Sequence, residues 1–266
     1  ALDAARTAGA VVTIGAYDGV HLGHQAVLRL VRELADARGF EAALVTFDRH
    51  PAEVVRPDSA PRLLTTLEQR LELLDATGDL DLCWVLTFDE PRSKEAAEDF
   101  VREVLVDGIG ARLVVVGADF HFGHRRGGNV PLLERMGAEL GFEVLGLGLV
   151  AVEGEASGVP YSSTRIRELL AKGDVAEAAR LLGRPHEVRG VVERGDQRGA
   201  EHLGFPTANL TVPERICLPA DGVYAGTFVA EDEVERPAAI SVGTRPTFYE
   251  DGDVLVEAYV LDFDGD

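Results

Sequence analysis

The sequence predicts two domains of different class: an α/β half built on a parallel sheet, followed by an all-β half. Three observations carry this. In the first half, near-continuous apolar runs alternate with segments of helical apolar spacing, the pattern of a parallel sheet covered on both faces. After Gly183 the runs shorten, and Gly, Pro and acidic residues separate them with no long helix between, as in an antiparallel sandwich or small barrel. The chain has 266 residues, enough for two domains of ordinary size.

In the first half, "AVVTIGAY" (10–17) is a strand rich in β-branched residues. The segment 24–39 follows as a helix, with Val27, Leu30, Val31 and Leu34 on one stripe and Gly39 as its stop. Strands are expected at 42–47, 81–88, 111–120 and 143–152. Helices are expected at 65–78, opened by a Thr65/Glu68 capping box, at 93–110, opened by Ser93, and at 130–141. "SSTRIRELL" (162–170) opens a further helix. "LLAKGDVAEAARLLGRPHE" reads as a helical link, which sets the domains at 1–183 and 184–266. The strands of the second half are "EVRGVVERG", "TANLTV", "GVYAGTFVAE", "AAISVGT" and "VLVEAYVLDF". No internal repeat or low-complexity tract interrupts either half.

Composition narrows the function. A net charge of −20 repels a phosphate backbone, so general nucleic-acid binding is excluded and any phosphate needs a local pocket. Only two basic residues are lysines, Lys94 and Lys172. Arginine suits phosphate oxygens, although a GC-rich genome gives the same bias. Cys83 and Cys217 lie far apart in apolar surroundings and read as free thiols in a cytoplasmic protein. No apolar run is long enough for a membrane span, and no secretory signal is expected at the N-terminus.

"GAYDGVHLGH" (15–24) falls where the first strand passes into the first helix. Ligands of parallel sheets sit outside the carboxyl ends of the strands. Gly15, Gly19 and Gly23 permit sharp turns and close approach of a ligand. The helix N-terminus offers free N–H groups to a phosphate, and His21 and His24 can share one face of its first turn. Imidazoles there can donate to phosphate oxygens as charge develops. "HFGH" (121–124) repeats the spacing, so zinc on four histidines is an alternative. Arg125 and Arg126 oppose it by repelling a cation, and surface histidines are a third reading, above all for His121 and His124. In "SSTRIRELL", Ser162, Ser163 and Thr164 can cap the helix or donate to phosphate, and Arg165 and Arg167 add charge. In "GFPTANL", Thr207 and Asn209 offer hard oxygen ligands, or only a turn before a strand.

The H-x-G-H turn resembles a signature of the nucleotidylyltransferase superfamily, and "SSTRIRELL" its second. Taken with "LVTFDRHPAEVV", "LLTTLEQRLELL", "VVVGADFHFGHRRGG", "LGFPTANL", "DGVYAG", "VGTRPTF" and "VEAYVLDFDGD", the chain resembles the prokaryotic bifunctional riboflavin kinase/FMN adenylyltransferase family. The resemblance implies an N-terminal Rossmann-like domain that transfers adenylyl from ATP to FMN, giving FAD and pyrophosphate. It implies a C-terminal β-barrel that phosphorylates riboflavin to FMN with ATP. Mg²⁺ is the implied metal, and neither nucleic acid nor membrane is an implied partner.

In the first domain it implies that His21, His24, Ser163, Thr164 and Arg167 contact ATP phosphates. The backbone around Gly15, Ala16, Tyr17 and Asp18 would line the nucleotide site, with His50, Pro51, Asp119 and Arg126 near the cleft. In the second it implies Thr207 and Asn209 on Mg²⁺, Glu257 as general base, and Gly195–Gly204 as a flap. Two departures stand out. Family members continue past "LDFDGD", so the resemblance implies either further residues beyond Asp266 or a kinase domain truncated there. Ala16 and Tyr17 replace the more usual small or polar residue and Phe. A single-activity adenylyltransferase with a non-catalytic flavin-binding barrel is the alternative.

Overall fold

The computed structural model describes residues 9–148, 160–193, 207–244 and 254–263. The chain forms two compact units, residues 1–163 with 181–183, and residues 164–180 with 184–266.

The first unit runs β1 (Ala10–Ile14), α1 (Leu22–Arg38), β2 (Glu41–Phe47), α2 (Pro51–Val55), α3 (Leu67–Asp75) and β3 (Leu82–Leu86). It continues α4 (Glu90–Ser93), α5 (Ala97–Phe100, passing into a π-helix over Val101–Gly108), β4 (Ala111–Gly117), β5 (His121–Phe122), β6 (Gly128–Asn129), α6 (Val130–Leu140) and β7 (Glu143–Leu147). Its five-stranded sheet has the order β3-β2-β1-β4-β7, and every pair in it is parallel. From β1 the chain winds outward through β2 and β3, then returns to β4 on the other side. The strand order therefore reverses beside β1, and its carboxyl end faces the crevice where such sheets take ligands.

Both faces are covered, as the apolar strands require. All five residues of β1 are buried. On one face Val11, Ala42, Leu113 and Val115 pack with Val31 and Ala35 of α1. On the other, Val12, Ile14 and Val45 share a core with Phe100, Val104, Leu105, Leu133 and Met136. Burying side chains of this size stabilises by roughly 1.5–3 kcal/mol each.

Several boundaries move for local reasons. Helix α1 begins two residues early because His21 caps it, and it ends at Gly39 in the left-handed region, φ 67°. Helix α3 is capped by Thr66 with Gln69, not by Thr65 with Glu68. The Thr65 hydroxyl instead accepts from the Gly19 N–H at 3.1 Å. The helix expected over 93–110 is broken: Ser93 ends α4, which Asp89 caps, and α5 starts at Ala97. The fourth strand stops at Gly117, and a two-residue ribbon, β5 with β6, follows. Past Leu147 the strand expected to run to 152 leaves the described residues at 148.

The second unit carries α7 (Ser163–Leu170) from Thr164 onward, most of α8 (Val175–Leu182), then β8 (Val191–Glu193), β9 (Ala208–Thr211), β10 (Gly222–Val229), β11 (Glu235–Thr244) and β12 (Val254–Val260). The strands form one antiparallel sheet in the order β10-β11-β12-β9-β8. Among the described residues no pairing joins the two edge strands. Ala238, Val242, Val256 and Ala258 are buried and share one face, since side chains alternate along each strand. The expected link at 169–187 is thus the end of α7 and the whole of α8, and its helices group mainly with the sheet that follows.

Candidate active site

The β1–α1 turn is shaped by its own side chains. Gly19 sits at φ 84°, and a Cβ there would lie 2.7 Å from the Leu64 side chain. A Cβ on Gly23 would lie 2.7 Å from that of Tyr161. These two positions therefore need glycine. Tyr17 and Val20 also take positive φ, 50° and 38°, a cost that non-glycine residues bear where surrounding structure holds them. The Tyr17 hydroxyl is fixed 3.0 Å from the Thr13 hydroxyl.

His21 and His24 stack with ring centroids 3.6 Å apart and planes at 14°. The Tyr17 ring also lies against His24, 4.6 Å between centroids and tilted by 33°. The His24 backbone N–H donates to His21 Nδ1 at 3.2 Å. That bond places the proton of a neutral His21 on Nε2. His24 Nδ1 is buried with no hydrogen-bond partner. A proton there would be an unsatisfied buried donor, so neutral His24 also carries its proton on Nε2. Burial first, and the neighbouring His21 second, hold the His24 imidazole well below its ordinary value. The turn thus presents two stacked imidazoles whose Nε2–H groups can donate to an anion.

Asp18 faces inward, 3 % exposed. Its Oδ1 accepts from Leu64 N at 2.9 Å, Thr65 N at 3.1 Å and the Thr65 hydroxyl at 3.2 Å. The carboxylate therefore latches the turn to the segment before α3. The Ser163 hydroxyl donates to the Asp18 carbonyl at 2.9 Å. Thr164, exposed, and Arg167, half-buried, follow Ser163 along α7.

His50 caps α2: its Nδ1 accepts from Ala52 N at 3.1 Å, its own N–H donates to Glu53 Oε1 at 2.8 Å, and Pro51 fills the first helical position. Asp119 is exposed in the turn after β4, and its carbonyl is 2.7 Å from His121 Nδ1. Arg125 and Arg126 take left-handed conformations, φ 52° and 59°, on an exposed turn with His124. Among the described residues, no group of three or more His, Cys, Asp and Glu is placed to hold a metal ion.

Arg70 escaped the sequence reading. It is 3 % exposed. Its Nη1 donates to the Ala16 carbonyl at 2.9 Å, and its Nη2 to the Phe47 carbonyl. The signal was present: Leu67, Arg70, Leu71 and Leu74 have the i, i+3, i+4, i+7 spacing of an apolar face, and one of the four is charged.

In the second unit, Asn209 stands opposite Glu257 across β9–β12 and opposite Glu193 across β8–β9. Residues directly opposite in an antiparallel pair share a face. Glu193, Asn209 and Glu257 therefore lie side by side on the face opposite Val256 and Ala258. Thr207 is exposed, two residues before Asn209. The expected flap at 195–204 lies outside the described residues.

Two family models match the chain: FAD synthetase over residues 3–164 and riboflavin kinase over residues 182–266. A bifunctional riboflavin kinase/FMN adenylyltransferase of Pseudomonas fluorescens is 40 % identical over 97 % of this chain and 80 % of its own length. The protein of the same name from Escherichia coli K12 is 37 % identical over 90 % of this chain and 74 % of its own. That from Listeria monocytogenes is 36 % identical over 95 % and 78 %. A crystal structure described as a macrolide-efflux protein from Streptococcus pneumoniae superposes with a TM-score of 0.82 at 28 % identity, covering 98 % of this chain and 82 % of that one. No helix among the described residues is long and apolar enough to cross a membrane.

Proposed function

Because the chain belongs to the family of bifunctional riboflavin kinases/FMN adenylyltransferases, we propose that it phosphorylates riboflavin to FMN and then transfers adenylyl from ATP to FMN, giving FAD and pyrophosphate. The observation that carries the reading is the stacked His21–His24 pair at the strand-order reversal of the parallel sheet.

In this reading the FMN phosphate attacks the α-phosphorus of ATP. His21 and His24 donate through Nε2–H to phosphate oxygens, with Ser163, Thr164 and Arg167 of α7 adding hydroxyls and charge. The backbone of Gly15, Ala16, Tyr17 and Asp18 lines the nucleotide, Asp119 and Arg126 lie near the flavin phosphate or the nucleotide, and His50 and Pro51 lie near the same cleft. No covalent intermediate is needed: the protein aligns the two phosphates and stabilises charge as it builds.

For riboflavin phosphorylation, Glu257 accepts the proton of the 5′-hydroxyl as that oxygen attacks the γ-phosphorus of ATP, and ADP leaves as its bridging bond to that phosphorus breaks. The hydroxyl of Thr207 and the amide oxygen of Asn209, beside the Glu257 carboxylate, are hard oxygen donors and suit Mg²⁺. Bound there, the ion would neutralise phosphate charge. The adenylyltransferase domain is assigned to 1–183 and the kinase domain to 184–266. The free thiols Cys83 and Cys217 fit the cytoplasm.

A chromatographic time course with riboflavin, ATP and Mg²⁺, run beside one started from FMN, tests the proposal. FMN followed by FAD supports both activities. FAD only from supplied FMN reduces the function to adenylyl transfer with a non-catalytic barrel, and no product from folded protein overturns the reading.

A further inference from the structure

We propose that Arg70 is a positioning residue for adenylyl transfer: its buried guanidinium braces the nucleotide turn and sets a fixed positive charge beneath the polyphosphate. The proposal rests on the adenylyl-transfer reading of that same turn.

The geometry is unusual for a cation. Arg70 rises from α3 into the interior and reaches two main-chain carbonyls, Ala16 in the β1–α1 turn and Phe47 at the end of β2. Thr46 Oγ1 also lies 3.4 Å from the Ala16 carbonyl. The carbonyls belong to the carboxyl ends of neighbouring parallel strands, and the guanidinium spans them. Arg70 Nε is buried and has no partner. No carboxylate forms an ion pair with Arg70 among the described residues. The charged groups that act on it are Asp18, Asp48 and Glu53, with the Cys83 thiol. Asp18 is already committed to Leu64 and Thr65. Asp48 accepts from Phe88 N at 2.9 Å and from Arg49. Glu53 is committed to the His50 N–H.

Two carbonyls need only two neutral donors. A guanidinium buried without a contact counter-ion costs several kcal/mol, so the fold carries this charge against its own stability. Burial pushes the Arg70 pKa down, yet arginine stays protonated in proteins. Its field acts in a dry region, where salt screens it little. The carboxylates that act on Arg70 do so at a distance, and a nucleoside triphosphate would bring further negative charge to the turn that Arg70 holds through Ala16. The same two hydrogen bonds keep that turn in register with the β2–α2 loop carrying His50 and Pro51.

The test compares Arg70→Gln, neutral with donors kept, and Arg70→Lys, charge kept, in the full chain. Affinities for ATP and adenosine are measured by titration calorimetry, and FAD formation from supplied FMN is followed with ATP varied. Expected in Arg70→Gln are a loss of ATP affinity of about tenfold, adenosine affinity retained, and a matching rise in the KM for ATP. Arg70→Lys should keep the preference for ATP over adenosine. If Arg70→Gln does not fold, Arg70→Met takes its place. Equal losses of ATP and adenosine binding, or no loss of either, overturn the proposal, as does a Lys variant that loses the preference. It also falls if neither neutral variant folds while Arg70→Lys does, for then the charge serves the fold. Wild-type protein that makes no FAD sinks the underlying reading as well. FAD formation indifferent to Arg70 sinks this inference alone.

Discussion

The backbone N–H of His24 donates to Nδ1 of His21 while the two rings stack 3.6 Å apart. One contact caps the helix, fixes a tautomer and sets both imidazoles on the same face. With the Tyr17 ring also against His24, the pair is held in place by its own neighbours. This is the preorganisation that a site without covalent catalysis depends on.

His24→Ala should cut FAD formation from FMN by at least about 10²-fold, the scale of losing one preorganised donor. Riboflavin phosphorylation should persist, because Glu257 and Asn209 lie in the other unit. Separate chromatographic assays of the two steps check this. Equal collapse of both in a folded variant would mean that the two-site division is wrong.

Glu257→Gln should do the reverse. The amide keeps the shape but accepts no proton, so FMN formation should fall by about 10²–10⁴-fold. FAD formation from supplied FMN should be unchanged. Loss of both in that variant refutes the role of Glu257 as base.

Stability should fall with acid through His24. Its folded-state pKa is depressed by burial, so between that value and the unfolded value of about 6.5 the unfolded chain binds the extra proton. Stability from this group is complete above about pH 6.5 and is lost as pH drops toward the folded value, at up to about 1.4 kcal/mol per pH unit. His24→Gln should flatten that slope by one proton's worth. Urea unfolding of the first unit at several pH values measures it, and an unaltered slope rejects the assignment.

Asp18→Ala should destabilise the first unit by roughly 3 kcal/mol, because it strands buried donors that now meet a carboxylate. Asp18→Asn, which keeps an acceptor, should cost less. Denaturant midpoints decide, and a surface-like loss of a few tenths would show that Asp18 is no latch.

The parallel sheet was legible because its strands are apolar on both faces: all of "AVVTI" and all of "ALVTF" except the half-buried Phe47 are buried. The H-x-G-H turn was legible because glycines, histidines and a strand-to-helix transition occupy one short stretch. The break between α4 and α5 was not: a run of good helix formers hides it, and Asp89 competes with Ser93 as a cap. Nor was the cap of α2 legible: His50 holds it, since a ring nitrogen accepts a backbone N–H as well as a hydroxyl does. The charge on the apolar stripe of α3 was visible, but its two carbonyl partners lie 54 and 23 residues away in sequence.

By itself the sequence determined the two classes of sheet and the glycine- and histidine-rich turn that joins the first strand to the first helix. Those are local matters of period, turn chemistry and spacing. Only the tertiary structure decided that Asp18 points inward, that Asn209 stands opposite Glu257, and that Arg70 reaches Ala16. Each depends on strands or loops distant in sequence being brought to one register, and register is fixed by burying whole faces at once.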